Sequence, residues 1–355
     1  MTHPVVDVVL PVHTPQRPVA RATASVLTTA TVETRVTVVC HNVATDAIAT
    51  SLGAWADDPR IRLLHLQDGV PSPAGPINAG LEAATGEFTA LLGSDDEYEP
   101  GAIDTWVGVA RRDNAAVVIP PLRTAPGAPS LNPPTRPFRA RNLDGVRDRL
   151  AYRTVQLGLL SRSDFPQVRM TEGLLTGEDV IQGATLWYSG APISMVRHGP
   201  GYLIHQDDPE GRTSVAHKPA EESLRFLDAV LAPEFVARLT VAQRESFGVK
   251  ILRTTVLDVL GAALDAETLE RDRAALANAV QRVLNVAPTA INIVSARDSR
   301  LLRSLADPGE GFDLASERMY RTQFWRPANV FPASARYLLH REAPLRFLAA
   351  FALMR

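Results

Sequence analysis

The stretch Gly86-Glu87-Phe88-Thr89-Ala90-Leu91-Leu92-Gly93-Ser94-Asp95-Asp96-Glu97-Tyr98-Glu99-Pro100-Gly101 decides the fold. Its first part, Glu87 to Leu92, is a short apolar run that reads as a buried strand. The run ends in small residues and then in consecutive carboxylates, and Pro100 stands where a following helix would begin. Acidic side chains at the carboxyl end of a strand can hold a hard divalent cation such as Mg²⁺ or Mn²⁺. Such an ion bridges to a diphosphate and offsets the charge that grows as the phosphate leaves. An isolated Asp-Asp pair is more often a solvated turn whose aspartate caps a helix, so the pair takes its meaning from its surroundings.

Those surroundings alternate. Val5 to Leu10, Arg35 to Cys40, Ile61 to Leu66 and Ala116 to Ile119 read as further strands. Pro18 to Thr28, Ala44 to Trp55, Asn78 to Ala84 and Pro100 to Arg111 read as the helices between them. Strands alternating with helices predict a doubly wound, mostly parallel α/β sheet. In such sheets ligands bind beyond the carboxyl ends of the strands, which singles out Pro11, Val12 and His13 after the first strand, His41 and Asn42 after the second, and Ser94 with Asp95 after the fourth. A dinucleotide-dependent dehydrogenase shares the alternation, but Pro11-Val-His-Thr-Pro-Gln16 replaces the Gly-x-Gly-x-x-Gly that it would need after the first strand.

Upstream of the carboxylates lies Gly75-Pro-Ile-Asn78-Ala-Gly80-Leu-Glu-Ala-Ala84-Thr-Gly86-Glu87, and downstream lies Gly173-Leu-Leu-Thr-Gly177-Glu178-Asp179-Val180 before Leu186-Trp187-Tyr188. An Asn-x-Gly helix, an Ala-x-Gly-Glu turn, an apolar strand, Asp-Asp with a Pro, and a late Glu-Asp together resemble the family-2 inverting glycosyltransferases of bacterial type, which have the GT-A fold. The resemblance covers roughly the first 215 residues and implies a nucleotide-sugar donor, a UDP-sugar foremost. It implies Mn²⁺ or Mg²⁺ at Asp95 and Asp96. It makes Asp179 the base that takes the proton of the acceptor hydroxyl, with Glu178 beside it, although both are also ordinary first-turn helix residues. Asn78 and Arg212 are implied donor contacts, and His205, or else His217, is implied as a further metal ligand. Tyr152 to Arg162 resembles the strand entering the acceptor side. Three positions depart from the family pattern: Cys40-His41-Asn42 lacks the carboxylate usual after the second strand, Pro76 replaces a polar residue, and Gly93 replaces the first aspartate of the commonest metal motif.

Two further segments stand apart. Thr124 to Ala140 is rich in Pro and Gly, which argues against regular structure there, and it is expected to be an active-site loop. From Glu221 onward Glu221–Leu231, Val241–Leu264 and Glu267–Val286 are apolar at helical spacing, with one ambiguous run at Ala290–Ser295. The expected division is therefore a GT-A catalytic domain over residues 1–218 and an all-α C-terminal domain over 219–355. The second is expected to pack and to form homo-oligomers; rival readings are binding of a glycan or lipid-linked acceptor and a peripheral membrane contact through 334–355, where Arg336, Arg341, Arg346 and Arg355 interleave with Phe347 and Phe351.

Composition bounds these readings. With 355 residues, 37 Lys+Arg against 39 Asp+Glu and a formal net charge of -2, the chain lacks the basic excess of a nucleic-acid binder. Cys40 is the sole cysteine, so no intrachain disulfide forms. No signal peptide and no run of roughly 20 apolar residues is legible, so a cytoplasmic protein, at most at the inner face of a membrane, is expected. The function expected is transfer of a sugar to a hydroxyl of a cell-wall or capsular polysaccharide or lipid-linked glycan; the rival class is a non-catalytic nucleotide-sugar-binding or scaffold protein.

Overall fold

The computed structural model describes residues 3–130, 132–174, 176–206, 218–306 and 326–353. The chain divides into two compact units, one of Met1–Asn132, Phe138–Asp144 and Arg153–Ser214, the other of Pro133–Pro137, Gly145–Tyr152 and Val215–Arg355.

In the first unit the elements run β1 (Val6–Val12), α1 (Val19–Leu27), β2 (Thr34–His41), α2 (Thr45–Leu52), β3 (Ile61–Leu66), α3 (Ala74–Ala83), β4 (Phe88–Leu91), β5 (Glu97–Tyr98), α4 (Ala102–Asp113), β6 (Val117–Ile119), β7 (Leu122–Thr124), β8 (Ala128–Pro129), β9 (Leu159–Ser161), α5 (Val180–Trp187), β10 (Ile193–Met195) and β11 (Tyr202–Ile204). The main sheet has the order β10-β6-β9-β4-β1-β2-β3. Only β9 runs against its neighbours, β4 and β6; the other pairs are parallel. This is the mostly parallel, doubly wound sheet that the alternation predicts. The order reverses between β1 and β4, so their carboxyl ends flank the switch point where such sheets bind ligands.

Period-two alternation places β1 in the core. Val6, Val8 and Leu10 enter one buried cluster and Val9 the opposite one, with Ile77 and Leu81 of α3. Gly80 is what lets α3 come so near: a Cβ there would lie 2.3 Å from Val9 Cγ1. Asp7, fully buried in the same strand, takes two bonds from Arg35 at 2.7 and 2.9 Å and one each from the Thr85 and Gly86 N–H groups at 2.7 Å. The Ala-x-Gly-Glu turn is thereby tied to β1, since a buried carboxylate persists only when its acceptor sites are filled.

A second, four-stranded sheet, β5-β11-β7-β8, continues directly from the acidic stretch. β7 and β8 form a short antiparallel pair turning at Gly127, whose φ of 130° suits glycine. The Pro- and Gly-rich loop therefore starts as a hairpin, which corrects the expectation of no regular structure from Thr124 onward.

The second unit is helical among its described residues. Its elements are α6 (Ala220–Ser223), α7 (Leu227–Val230), α8 (Pro233–Val236), α9 (Val241–Ile251), α10 (Leu257–Asp265), α11 (Leu269–Val286), α12 (Ala290–Ile293), α13 (Ala296–Ser304), α14 (Pro327–Val330) and α15 (Pro344–Ala352). A π-turn over Leu252–Val256 joins α9 to α10. The ambiguous run at 290–295 is helical over Ala290–Ile293, and Ser295 forms a lone bridge to Pro332. Glu342, 1% exposed, is the polar centre of this unit: it accepts from Ser246 Oγ at 2.9 Å and from Tyr152 Oη at 3.1 Å, and lies 3.5 Å from Arg253. Arg253 in turn stacks 4.7 Å over the ring of Phe347. No helix among the described residues is long and apolar enough to cross a membrane.

Candidate active site

The site forms where β1 and β4 end. Arg17, in the loop after β1, is buried and donates from Nη1 to Asp95 Oδ2 at 2.7 Å. Arg21, one turn along α1, donates to the Asp95 carbonyl oxygen at 2.5 Å and lies 3.8 Å from Glu97. Arg17 from the loop and Arg21 from the first turn of α1 both reach Asp95. A basic pair thus closes the switch point from the β1 side and a carboxylate pair from the β4 side.

Asp96 turns toward the second sheet. Its Oδ2 accepts from Tyr202 Oη at 2.7 Å and its Oδ1 from the His205 N–H at 2.9 Å. Tyr202 Oη also accepts from the Gly93 N–H at 2.9 Å. Burial, then the negative charge of Asp96, pushes the Tyr202 hydroxyl well above the usual phenol range, so it stays a proton donor to Asp96. Beneath it Tyr98 packs edge-on to Tyr202 and Trp106 and bonds the Leu91 carbonyl at 2.8 Å, which fixes β5 against the end of β4.

Gly93, where the family motif would have an aspartate, leaves a small hollow. A Cβ there would lie 3.1 Å from Asp95 Oδ1 and 2.9 Å from Asp96 Oδ2, so one oxygen of each carboxylate converges on the same point. Two hard carboxylate oxygens suit Mg²⁺ or Mn²⁺. Among the described residues no three His, Cys, Asp or Glu side chains gather as a metal cage, so the carboxylate pair fits such an ion only with oxygens from elsewhere, as a donor diphosphate provides. His205 directs its ring nitrogen to Glu97, at 2.5 Å, and meets Asp96 through its backbone. Arg212 and His217 lie outside the described residues.

The strand ends β2 and β3 make a second part of the site. His41 is buried with Nε2 at 2.8 Å from Asp68 Oδ1. Asn42, in a left-handed conformation at φ 56°, donates to the same oxygen at 3.2 Å, and its Oδ1 accepts from the Asp68 and Gly69 N–H groups. Burial alone would push the Asp68 carboxyl up, but bonds from the Val70 N–H, His41 and Asn42 outweigh it and hold the group below the usual aspartate range. The carboxylate missing after β2 is therefore supplied from after β3. Register could have located it: Cys40 pairs with His65 and His41 with Leu66, so the residues just past Leu66 lie beside those just past His41.

Asn78, expected among the donor contacts, has both ends of its amide engaged elsewhere. Its Nδ2 donates to the Met170 carbonyl at 3.1 Å and to Glu172 at 2.9 Å, and its Oδ1 accepts from the Met170 N–H at 2.8 Å. It is a strut holding the segment that leads to Glu178 and Asp179. Thr171 continues that segment, donating its N–H to the Glu178 carbonyl at 2.8 Å, and Asp179 stands at the N-cap position of α5 with its carbonyl accepting from Gly183 at 2.8 Å. Pro11 and Val12 end β1, His13 is exposed just beyond them, and Ser94 is buried beside Asp95. Arg17, Arg21, Asp68 and Tyr202 are the residues that reading by motif missed, since each reaches the site only through strand order.

Comparison with known proteins places this geometry. Over 206 residues the chain is 28% identical to the succinoglycan biosynthesis protein ExoO of Rhizobium meliloti (strain 1021), covering 53% of this chain and 56% of that protein, so the alignment spans little more than half of the relative. Residues 1–349 of S. aureus TarS, solved in complex with UDP-GlcNAc, superpose with a TM-score of 0.72 at 16% identity, over 90% of this chain and 93% of that one. The same fragment solved with UDP gives a TM-score of 0.69 at 14% identity over the same shares. At such identities the superposition establishes the shared GT-A fold. Residues 7–168 match the family described as Glycosyl transferase family 2. That match covers 162 of the 355 residues, so the likeness to glycosyl transferase family 2 rests on the sheet-forming part of the chain.

Proposed function

We propose that this protein is an inverting glycosyltransferase that moves a sugar from a nucleoside-diphosphate donor, a UDP-sugar first among them, to a hydroxyl of a polysaccharide or lipid-linked glycan. The observation that carries the reading is the meeting of Arg17 and Arg21 with Asp95 across the β1–β4 switch point, with Asp96 beside it held by Tyr202. Asp68, held ionised by His41 and Asn42, suits a hydrogen bond from the base edge of a pyrimidine nucleotide. The acceptor hydroxyl attacks the anomeric carbon opposite the diphosphate, its proton passes to the Asp179 carboxylate, and the bond to the nucleoside diphosphate breaks. Asn78 positions the segment carrying Asp179, and alignment of that carboxylate matters more than its basicity. Asp95 and Asp96 would hold Mn²⁺ or Mg²⁺, which when bound supplies Lewis-acid neutralisation of the leaving diphosphate.

A screen of nucleotide sugars by thermal shift, each with Mn²⁺, Mg²⁺ or chelator, tests this directly. A metal-dependent rise with one donor, joined to transfer or slow hydrolysis of that donor, is the expected result. No shift and no turnover with any donor returns the molecule to the non-catalytic class.

Arg17 favours a second account of the charge. It is a buried cation already at Asp95 Oδ2, so donor binding can proceed by exchange, the diphosphate taking the guanidinium from the carboxylate. Asp95→Ala weakens donor binding only when metal is present under the first account. Arg17→Ala weakens it equally with metal and with chelator under the second.

A further inference from the structure

The second unit contains a cleft of about 320 Å³ lined by Arg136, Arg147, Arg149, Arg341 and Arg346, with Leu353 among its apolar walls and no acidic side chain among the described residues that line it. Five cations around one small hollow call for an explanation, because each repels the others. Arg136 is answered by Asp148, which accepts two bonds at 2.8 and 2.6 Å. Arg149, 4% exposed, has its guanidinium on neutral carbonyls, those of Pro134 at 2.7 Å and of Arg341, while its Nε lacks any partner among the described residues. Burial lowers its pKa; Glu342 and Tyr152 oppose that, and Arg341 and Arg346 add to it. Arg346, exposed, gives Nη1 to the Leu339 carbonyl at 2.6 Å, again a neutral group. At this cleft Arg149 and Arg346 thus meet neutral carbonyls, whereas Arg136 meets a carboxylate.

The rim of the cleft is apolar. Leu339, Leu345 and Leu353 are 80%, 43% and 63% exposed. Leu345, Ala349 and Leu353 follow at i, i+4 and i+8 and form one exposed stripe of α15 and its C-terminal cap. Leu353 borders this cleft, and Leu339 borders the neighbouring hollow, which shares Arg341 and Arg346 with it. A soluble phosphate would need the arginines but gain nothing from exposed leucines. A surface carrying phosphate above hydrocarbon needs both.

We propose that this face docks on an anionic phospholipid surface, the arginine cleft receiving a headgroup phosphate while Leu345 of α15 and Leu353 at its C-terminal cap enter the interfacial layer. Arginine is suited to the task, since its planar fork grips phosphate oxygens in pairs. The inference concerns binding alone and stands whether or not the first unit transfers sugar.

The test is co-sedimentation of the full chain with phosphatidylcholine vesicles, with and without phosphatidylglycerol. Binding is expected to the anionic vesicles only, and to weaken as salt rises. The exposed double variant Arg147→Glu/Arg346→Glu is expected to lose about tenfold or more of that binding, and Leu345→Ser/Leu353→Ser to lose it as well, with thermal melting unchanged in both. Should the arginine variant lose binding while the leucine variant keeps it, and inorganic phosphate compete, the site takes a soluble phosphate and the membrane proposal fails. Binding equal in all variants, binding to neutral vesicles alone, or no sedimentation by the wild-type chain at low salt overturns it too.

Discussion

The two units bury charge in opposite ways. In the first, Asp95 and Arg17 meet at the end of a sheet, with side chains 13% and 7% exposed, at a place where the strand order leaves room for a ligand. In the second, Glu342 is enclosed by Ser246, Tyr152 and Arg253, which fill its acceptor sites from within the unit. Partners of the first kind can be exchanged for those of a substrate. Partners of the second kind are already part of the packing, and removing one leaves an uncompensated charge. The lesson is that a buried ion pair says little by itself; its position relative to strand ends decides whether it is chemistry or masonry.

The largest expected effect sharpens that contrast. Asp179→Asn lowers transfer by about 10²–10⁴-fold while donor binding, read by thermal shift, and the melting temperature stay near wild type. Retained transfer would remove Asp179 from the mechanism and blur the distinction between the units. Next comes a change that breaks the contrast inside the first unit, because Asp7 behaves like Glu342 although it sits in β1. Asp7→Ala strands Arg35 and two backbone donors and is expected to cost about 3–5 kcal/mol in urea unfolding. A cost no greater than a surface change would mean that the turn at Thr85 and Gly86 holds without it.

Gly80→Ala is expected to cost about 1–3 kcal/mol by pushing α3 off β1, where a Cβ would strike Val9; a neutral outcome would show that the helix can shift freely and that the Asn-x-Gly spacing is not set by packing. The smallest effect belongs to the second unit. The bond from Arg271, with further bonds from Thr268 and the Ala220 N–H, brings Asp272 down to about 2 against the opposing effect of burial. A carboxyl lowered on folding contributes stability that is complete above its unfolded value, near 3.9, and that is lost as pH falls toward 2. Asp272→Asn should therefore flatten the melting temperature between pH 4 and pH 2 relative to wild type and leave its slope near neutrality unchanged. An unaltered acid slope would show that the pairing has no thermodynamic weight.

Legibility followed the same division. β3 begins and ends where the sequence placed it, at Ile61 and Leu66, and β1, β2 and β4 differ only at their ends, because period and apolar runs are local properties. The position of Asp95 and Asp96 just past the end of β4 was legible for the same reason. Asp68 and Arg17 were not, since their relevance comes from which strands are neighbours, and no residue within a few positions announces that. Asn78 was assigned to the donor on resemblance; that its amide also spans to Met170 and Glu172, more than ninety positions away in the chain, was not legible. Ala290-Ile-Asn-Ile293 could serve as strand or helix by composition; with no strand to pair along its length, it closed its hydrogen bonds locally, as in the bond from Val294 N–H to the Ala290 carbonyl at 3.2 Å. The hairpin of β7 and β8 was hidden by its prolines, which mark a turn without saying that strands flank it.

The second unit is written in three instalments: Pro133–Pro137, Gly145–Tyr152 and then Val215–Arg355. The first two lie inside the gene segment that encodes the sheet; Gly145–Tyr152 supplies Arg149 and Tyr152 to the polar centre formed with Arg341 and Glu342, and Pro133–Pro137 supplies the Pro134 carbonyl that Arg149 bonds. No single crossover in the gene can exchange one helical unit for another without leaving those two short passages mismatched. A graft meant to lend this helical unit to another protein would have to carry three pieces of coding sequence.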